Sequence, residues 1–291
     1  MNLEPNIPLL RANALNLLGN LHSDQGRVDQ ARECFEASLA IFRELGDRRG
    51  ESSALNNLGN LHCDQGRMDE TLECYEAALA IYRELGDRQG EGVLLGNLGQ
   101  LHSDLGWMEK ARECFEGSLM IARELGNLLS EGWTRADYAD HLLKTSEWVS
   151  ARKMLEQSQQ ISEELSMKDC LACLHPKWAR YWLLVHEEQS FGEGFQPAKQ
   201  EGWQDASPTG EDTPAKPQAA LDKALHHLDV AKGYLADIGG TWETEFGQEI
   251  TKARRTILEF AAKYGLSEQV TDLAAEQTAE DELREQDEAA G

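Results

Sequence analysis

Residues 15–47 read LNLLGNLHSDQGRVDQARECFEASLAIFRELGD, and the pattern returns at residues 55–87 as LNNLGNLHCDQGRMDETLECYEAALAIYRELGD. Aligning Leu15–Ala54 with Leu55–Leu94 gives 27 identities in 40 positions, and Leu95–Thr134 continues the series. A fourth, degenerate copy runs Arg135–Leu174, keeping Tyr138, Ala139, Trp148, Ala151, Leu155, Ile161 and Leu165 in the corresponding slots. A period of this length marks stacked structural repeats rather than an ordinary globular domain.

Within one copy, Val28, Ala31, Phe35, Ser38, Phe42 and Leu45 step by three and four, which places a small-and-apolar stripe along one helix. Before it, Leu15, Leu18, Gly19 and His22 make a shorter stripe of the same kind, and Gly26 in the intervening Asp24–Arg27 suits a left-handed helix end. The unit is therefore a helical hairpin. Gly46 is expected to stop the second helix and Asp47 to cap the next, a pair repeated as Gly86–Asp87 and Gly126–Asn127. No proline interrupts Leu9–His175. A hairpin this small cannot bury its own apolar face, so successive copies must stack, and the expected fold is an all-α, right-handed superhelical solenoid.

The spacing Leu15, Leu18-Gly19, His22, Ala31, Phe35 and Ser38 resembles the tetratricopeptide repeat. Leu58-Gly59-Asn60 gives a likeness to the 40-residue variant of bacterial signalling proteins and of G-protein signalling modulators with Leu-Gly-Asn repeats. The chain departs from the family where His22, His62 and His102 replace tyrosine. Arg43 and Arg83 stand in place of the helix-ending proline, as expected if the second helix runs on for a turn.

The expected organisation is four repeats over residues 9–174 (15–54, 55–94, 95–134 and 135–174) and a split fifth repeat over 175–240. The fifth repeat's first helix opens near Pro176 and its second carries Ala224, Leu228, Ala231, Leu235 and Ile238. Between them, residues 187–218 hold Pro197, Pro208, Pro214 and Pro217 and read as a disordered insertion, with Phe191, Phe195 and Trp203 as candidate docking residues. Residues 241–264 read as a capping helix with Trp242, Phe246, Ile250, Ile257 and Phe260 apolar, and 265–291 as a solvated acidic tail.

A formal charge of −24 would repel a phosphate backbone, so nucleic acid is not an expected partner, and an acidic membrane surface is disfavoured for the same reason. No apolar run approaches the roughly 20 residues a membrane span needs, and Met1–Pro8 lacks the pattern of a secretory signal. Cytoplasm is the expected location, where Cys34, Cys74 and Cys114, one per repeat, stay reduced.

Candidate chemistry is sparse. His22, His62 and His102 fall one per repeat, on the order of 10 Å apart, too far to share a metal ion. Cys170-x-x-Cys173 beside His175 is half a zinc site or a dithiol without the strand that redox folds place before it, so helix-core cysteines are the simpler reading. Glu33, Glu36 and Glu44 lie away from the apolar stripe on a solvated face. No phosphate loop, nucleophile elbow or metalloprotease motif occurs, so no catalytic residue, metal or cofactor is expected and the chain reads as a non-enzyme.

The resemblance implies a concave groove lined by Asn16 and Asn20, then Asn56 and Asn60, then Gly96, Asn97 and Gln100. An asparagine side chain offers two donors and an acceptor, enough to clamp a peptide backbone whatever its sequence. Ser23, Asp24, Asp64, Ser103 and Asp104, one turn on, would favour basic side chains. The same amides have a simpler use, bonding between neighbouring repeats. The expected function is a protein-interaction scaffold for a peptide or protein segment, favouring a basic one. A second reading is self-assembly into homo-oligomers through the terminal repeats; a third, thiol or metal chemistry at Cys170, Cys173 and His175.

Overall fold

The computed structural model describes residues 7–190, 216–238 and 245–278. The expected docking residues Phe191, Phe195 and Trp203, most of the 187–218 insertion, Trp242 and the last thirteen residues lie outside these. The described residues contain helices and no strand, and none of the helices is long and apolar enough to cross a membrane. The chain divides into two compact units, Met1–Thr134 and Arg135–Gly291.

In the first unit α1 (Ile7–Asp24) pairs with α2 (Val28–Leu45), α3 (Arg48–Asp64) with α4 (Met68–Leu85), and α5 (Arg88–Asp104) with α6 (Met108–Leu125). Next, α2 packs on α3 and α4 on α5, which is the stacking that a lone hairpin requires. The boundary between the units falls inside α7 (Leu128–Lys144). Each first helix starts forty residues after the last, at Arg48, Arg88 and Leu128, seven residues before the copies counted from Leu15 begin. The hairpin therefore begins at its cap and not at its first apolar residue.

The expected signals act where they were read. Gly46, Gly86 and Gly126 adopt φ of 67°, 66° and 62°, and Asp47 N–H donates back to the Phe42 carbonyl at 2.9 Å, closing the helix end. Asp47 and Asp87 then accept from the Gly50 and Gly90 amides at 3.0 Å, and Asn127 from Ser130 at 3.1 Å. Ala31, Phe35, Ser38 and Phe42 are buried along α2, and Ser38 Oγ donates to the Ala12 carbonyl at 2.8 Å. Leu45 departs from the expected stripe: it is exposed, and Leu39 is buried instead. Gly19, Gly59 and Gly99 lie flat under the rings of Phe35, Tyr75 and Phe115; a methyl group on Gly59 would stand 2.5 Å from two ring carbons. The arginines that replace proline have a use of their own. Arg43, Arg83 and Arg123 donate across the hairpin junction to Glu51, Glu91 and Glu131, and Arg48 and Arg88 add a second cation to the first two.

In the second unit α8 (Trp148–Glu164) packs against α9 (Lys168–Ser190), which packs in turn against α10 (Pro217–Asp237) and α11 (Glu245–Lys263). Two expectations need correcting, and one feature is new. The helix read as opening at Pro176 begins at Lys168, so Pro176 and the Cys170-x-x-Cys173 pair are inside α9. Ser146 and Ser166 hold the left-handed positions that glycines hold elsewhere, at φ of 61° and 56°. The solvated tail begins later than residue 265: Ser267–Val270 is a 3₁₀ turn, residues 271–278 are helical, and Val270 and Leu273 are buried in one core with Ile257 and Phe260. The acidic composition concealed a stripe of apolar and amide residues at Val270, Leu273 and Gln277.

Candidate functional site

The first helices α1, α3 and α5 bring the expected groove residues onto neighbouring strips, and their amides bond from hairpin to hairpin. Asn57 Nδ2 donates to Asn16 Oδ1 at 3.1 Å, and Asn16 Nδ2 reaches Ser53 Oγ at 3.4 Å. One repeat on, Asn97 Nδ2 donates to Asn56 Oδ1 at 3.3 Å and to Asn60 Oδ1 at 3.4 Å, while the Tyr75 hydroxyl donates to Asn60 Oδ1 at 2.7 Å. Gln100 bonds within its own helix to Asp104. Asn16, Asn56, Asn60 and Asn97 thus hold the hairpins in register, as the simpler use of the amides required. Asn57, one repeat before Asn97, was not among the expected groove residues, although it lies 41 residues from Asn16, as Asn97 does from Asn56.

What remains available is specific. Asn20 is exposed and its side chain makes no hydrogen bond among the described residues, and the Nδ2 groups of Asn56 and Asn60 donate to nothing there. Asp24, Asp64 and Asp104 are exposed on the next turn, Ser23 is half-buried and Ser103 buried. Desolvation raises the Asp64 carboxyl although the residue as a whole is exposed.

Beside Asn56 lies a recess of about 300 Å³. Arg49, Ser53 and Asn56 of α3 form one wall, Gln89, Gly90 and Val93 of α5 the other, and Tyr82 of α4 its base. Burial raises the Tyr82 phenol. At the rim Arg49 pairs with Asp87 at 3.0 Å. The recess exists because Gly90 approaches the Tyr82 ring too closely to carry a side chain; a Cβ there would meet ring carbons at 2.4 Å. Amide, hydroxyl and apolar surface with one ion pair at the edge suit a side chain of a bound segment and its adjoining peptide group.

In the second unit the same register positions carry charge. Lys177 Nζ donates to Asp137 at 2.9 Å, Arg180 pairs with Asp140, and Lys144 reaches Asp140 at 3.2 Å. Burial alone would raise the Asp140 carboxyl; Arg180, Lys177 and Lys144 outweigh it and hold the group at about 2. Ion pairs there do what amides do between α1, α3 and α5.

The remaining candidates are packing residues. His62 and His102 are buried in separate repeats, and desolvation lowers both. Cys170 and Cys173 are buried, and burial pushes the Cys170 thiol up, away from the reactive thiolate. His175 turns to His227, Nδ1 to Nδ1 at 2.9 Å, in a stack with Trp178 and Tyr234. Among the described residues no three His, Cys, Asp or Glu side chains gather as metal ligands.

Comparison with known proteins agrees with the hairpins. A tetratricopeptide repeat model matches residues 10–62 and 50–106, and a second matches 94–125. No curated protein matches the sequence. The crystal structure of BtubC (BKLC) from P. vanneervenii is similar over 82% of this chain and 85% of its own, with a TM-score of 0.57 at 18% identity. A Podosopora anserina protein of nearly identical TPR-like repeats gives 0.50 at 15% identity, covering 81% of this chain and 99% of its own. A Signal Transduction ATPase with Numerous Domains from Pyrococcus horikoshii, which has a tetratricopeptide repeat sensor, gives 0.52 at 14% identity; this chain covers 39% of its length. At such identities the likeness concerns the fold. Residues 10–125, whose three helical hairpins recur every forty residues, each seating a glycine under an aromatic ring, and which match that family's models, are tetratricopeptide repeats, and the described residues have an all-α solenoid fold.

Proposed function

We propose that this chain is a non-catalytic scaffold that holds an extended peptide or protein segment along a concave groove formed by α1, α3 and α5. The observation that carries the reading is the 300 Å³ recess beside the unpaired Asn56 Nδ2, on the face where Asn20 and Asn60 also keep free donors. The recess takes one side chain, and the amides bond the backbone that flanks it. Asp24, Asp64 and Asp104 beside the groove, in a chain of net charge −24, favour a basic segment and speed its encounter. Six free cysteines, two of them buried, suit a reducing cytoplasm. The raised Cys170 thiol argues against thiol chemistry.

Selection of a phage-displayed random-peptide library on the full chain, followed by fluorescence polarisation of the selected peptides, tests this. Val93 is exposed in the recess, so Val93→Trp fills the space without touching the core. Affinity should fall at least about tenfold, the loss of one buried side-chain contact, with the helical circular dichroism unchanged. Asn20→Ala should weaken binding as well. Peptides that bind Val93→Trp and Asn20→Ala as they bind the wild type would place the binding surface elsewhere.

A further inference from the structure

The outer face of α1 has the pattern of a coiled-coil seam. Ile7, Leu10, Ala14, Leu17 and Leu21 step by three, four, three and four, the a/d spacing of paired helices. All five are exposed, Ile7 and Leu17 at 69%, Leu10 at 57% and Leu21 at 51%, and Leu18 beside them is at 41%. The opposite face of the same helix, Ala12 and Gly19, is buried in the helix's own hairpin. Equivalent positions one repeat on show what such a face looks like when covered: in α3, against which α2 packs, Leu58 and Leu61 are 5% and 2% exposed. Among the described residues nothing lies over α1 in that way.

We propose that this face is a homodimer interface, in which the α1 seam of one copy pairs with the α1 seam of a second. Charge selects the occupant. Over its 18 residues α1 carries only Arg11 and Asp24 as formal charges, in a chain that is 27% charged with a net charge of −24. Two such chains repel over most of their surface and can approach closely only across a neutral face. A seam without charges of one sign has nothing with which to select a different partner, whereas an evenly spaced 3-4 stripe is complementary to its own copy about a two-fold axis. Ile7, Leu10, Leu17, Leu18 and Leu21 leave on the order of 500 Å² of apolar surface per copy, at the upper end for a monomer, and two copies together reach the roughly 1,000 Å² of a specific interface. This association is independent of the peptide groove.

Sedimentation velocity of the full chain over a range of micromolar concentrations tests it. The expected species has twice the 32.5 kDa chain mass. Leu10→Glu/Leu17→Glu and, separately, Leu10→Lys/Leu17→Lys should both be monomers with unaltered helical circular dichroism and melting, since both leucines are exposed. Mixing the two variants should restore the dimer, because opposite charges then meet across the seam. A wild type that stays monomeric, a dimer that survives either double substitution, or a mixture that stays monomeric would each overturn the proposal.

Discussion

Lowering the pH should loosen the second unit at Asp140. Asp140 is buried against Arg180, Lys177 and Lys144, which hold its carboxyl at about 2 against an ordinary 3.8. At about 1.4 kcal/mol per tenfold change in proton affinity, the pairing is worth about 2 kcal/mol of folding stability near neutral pH. The sign follows from the depressed value. The contribution is complete above about pH 5, where the carboxyl is ionised in both folded and unfolded chain, and is lost as pH falls through 4 towards 2. Asp140→Asn removes this dependence, and it leaves Arg180 and Lys144 without their shared anion, which should cost about 3 kcal/mol at pH 7. Urea unfolding followed by circular dichroism at steps from pH 7 to 2, with hydrogen exchange of the α7 and α9 amides as a local probe, makes the comparison. Wild-type stability should fall about 2 kcal/mol further than that of the variant across the acid range. Parallel curves for the two proteins would refute the assignment of that stability to the buried ion pairs.

Substitutions at three positions probe the repeat frame. Ser166→Gly should stabilise the protein by about 0.5–1 kcal/mol, because Ser166 holds φ of 56° where the earlier repeats have glycine, and a lower melting temperature would contradict the strain assigned there. Gly59→Ala should destabilise by about 1–3 kcal/mol, since its methyl group meets the Tyr75 ring at 2.5 Å; a neutral result in chemical denaturation would mean that the ring moves freely. Asn127→Ala should cost about 1 kcal/mol through loss of the cap on Ser130 N–H while Asn127→Gly costs only a few tenths, an order that thermal melts of the pair can reverse or sustain.

The family and the course of each hairpin were legible from sequence because they depend on local rules repeated every forty residues. Gly46 must take a left-handed φ, Asp47 must satisfy an open amide, and Ala31, Phe35, Ser38 and Phe42 must share one face of a helix. Repetition tests each of these signals three times over within one chain. The split fifth repeat lacked that test, which is why Pro176 was read as a helix start although α9 begins eight residues earlier. Val270 and Leu273 were hidden for a related reason: composition averages over faces, and two apolar side chains suffice to dock a turn that is acidic elsewhere.

Which neighbours the amides of the first helices bond was decided only by tertiary structure. Sequence places Asn16, Asn56 and Asn60 on the inner helices but says nothing of the distance to Asn57, Asn97 or Tyr75, and at 2.7–3.4 Å those neighbours take up the carboxamide oxygens. A hydrogen-bonding group has the same identity whether it faces a ligand or the next repeat; the packing of hairpin on hairpin decides which of its atoms the next repeat engages. The recess at Tyr82 and the exposure of the α1 seam have the same origin, since a space or a bare face exists only with respect to the helices that stack around it.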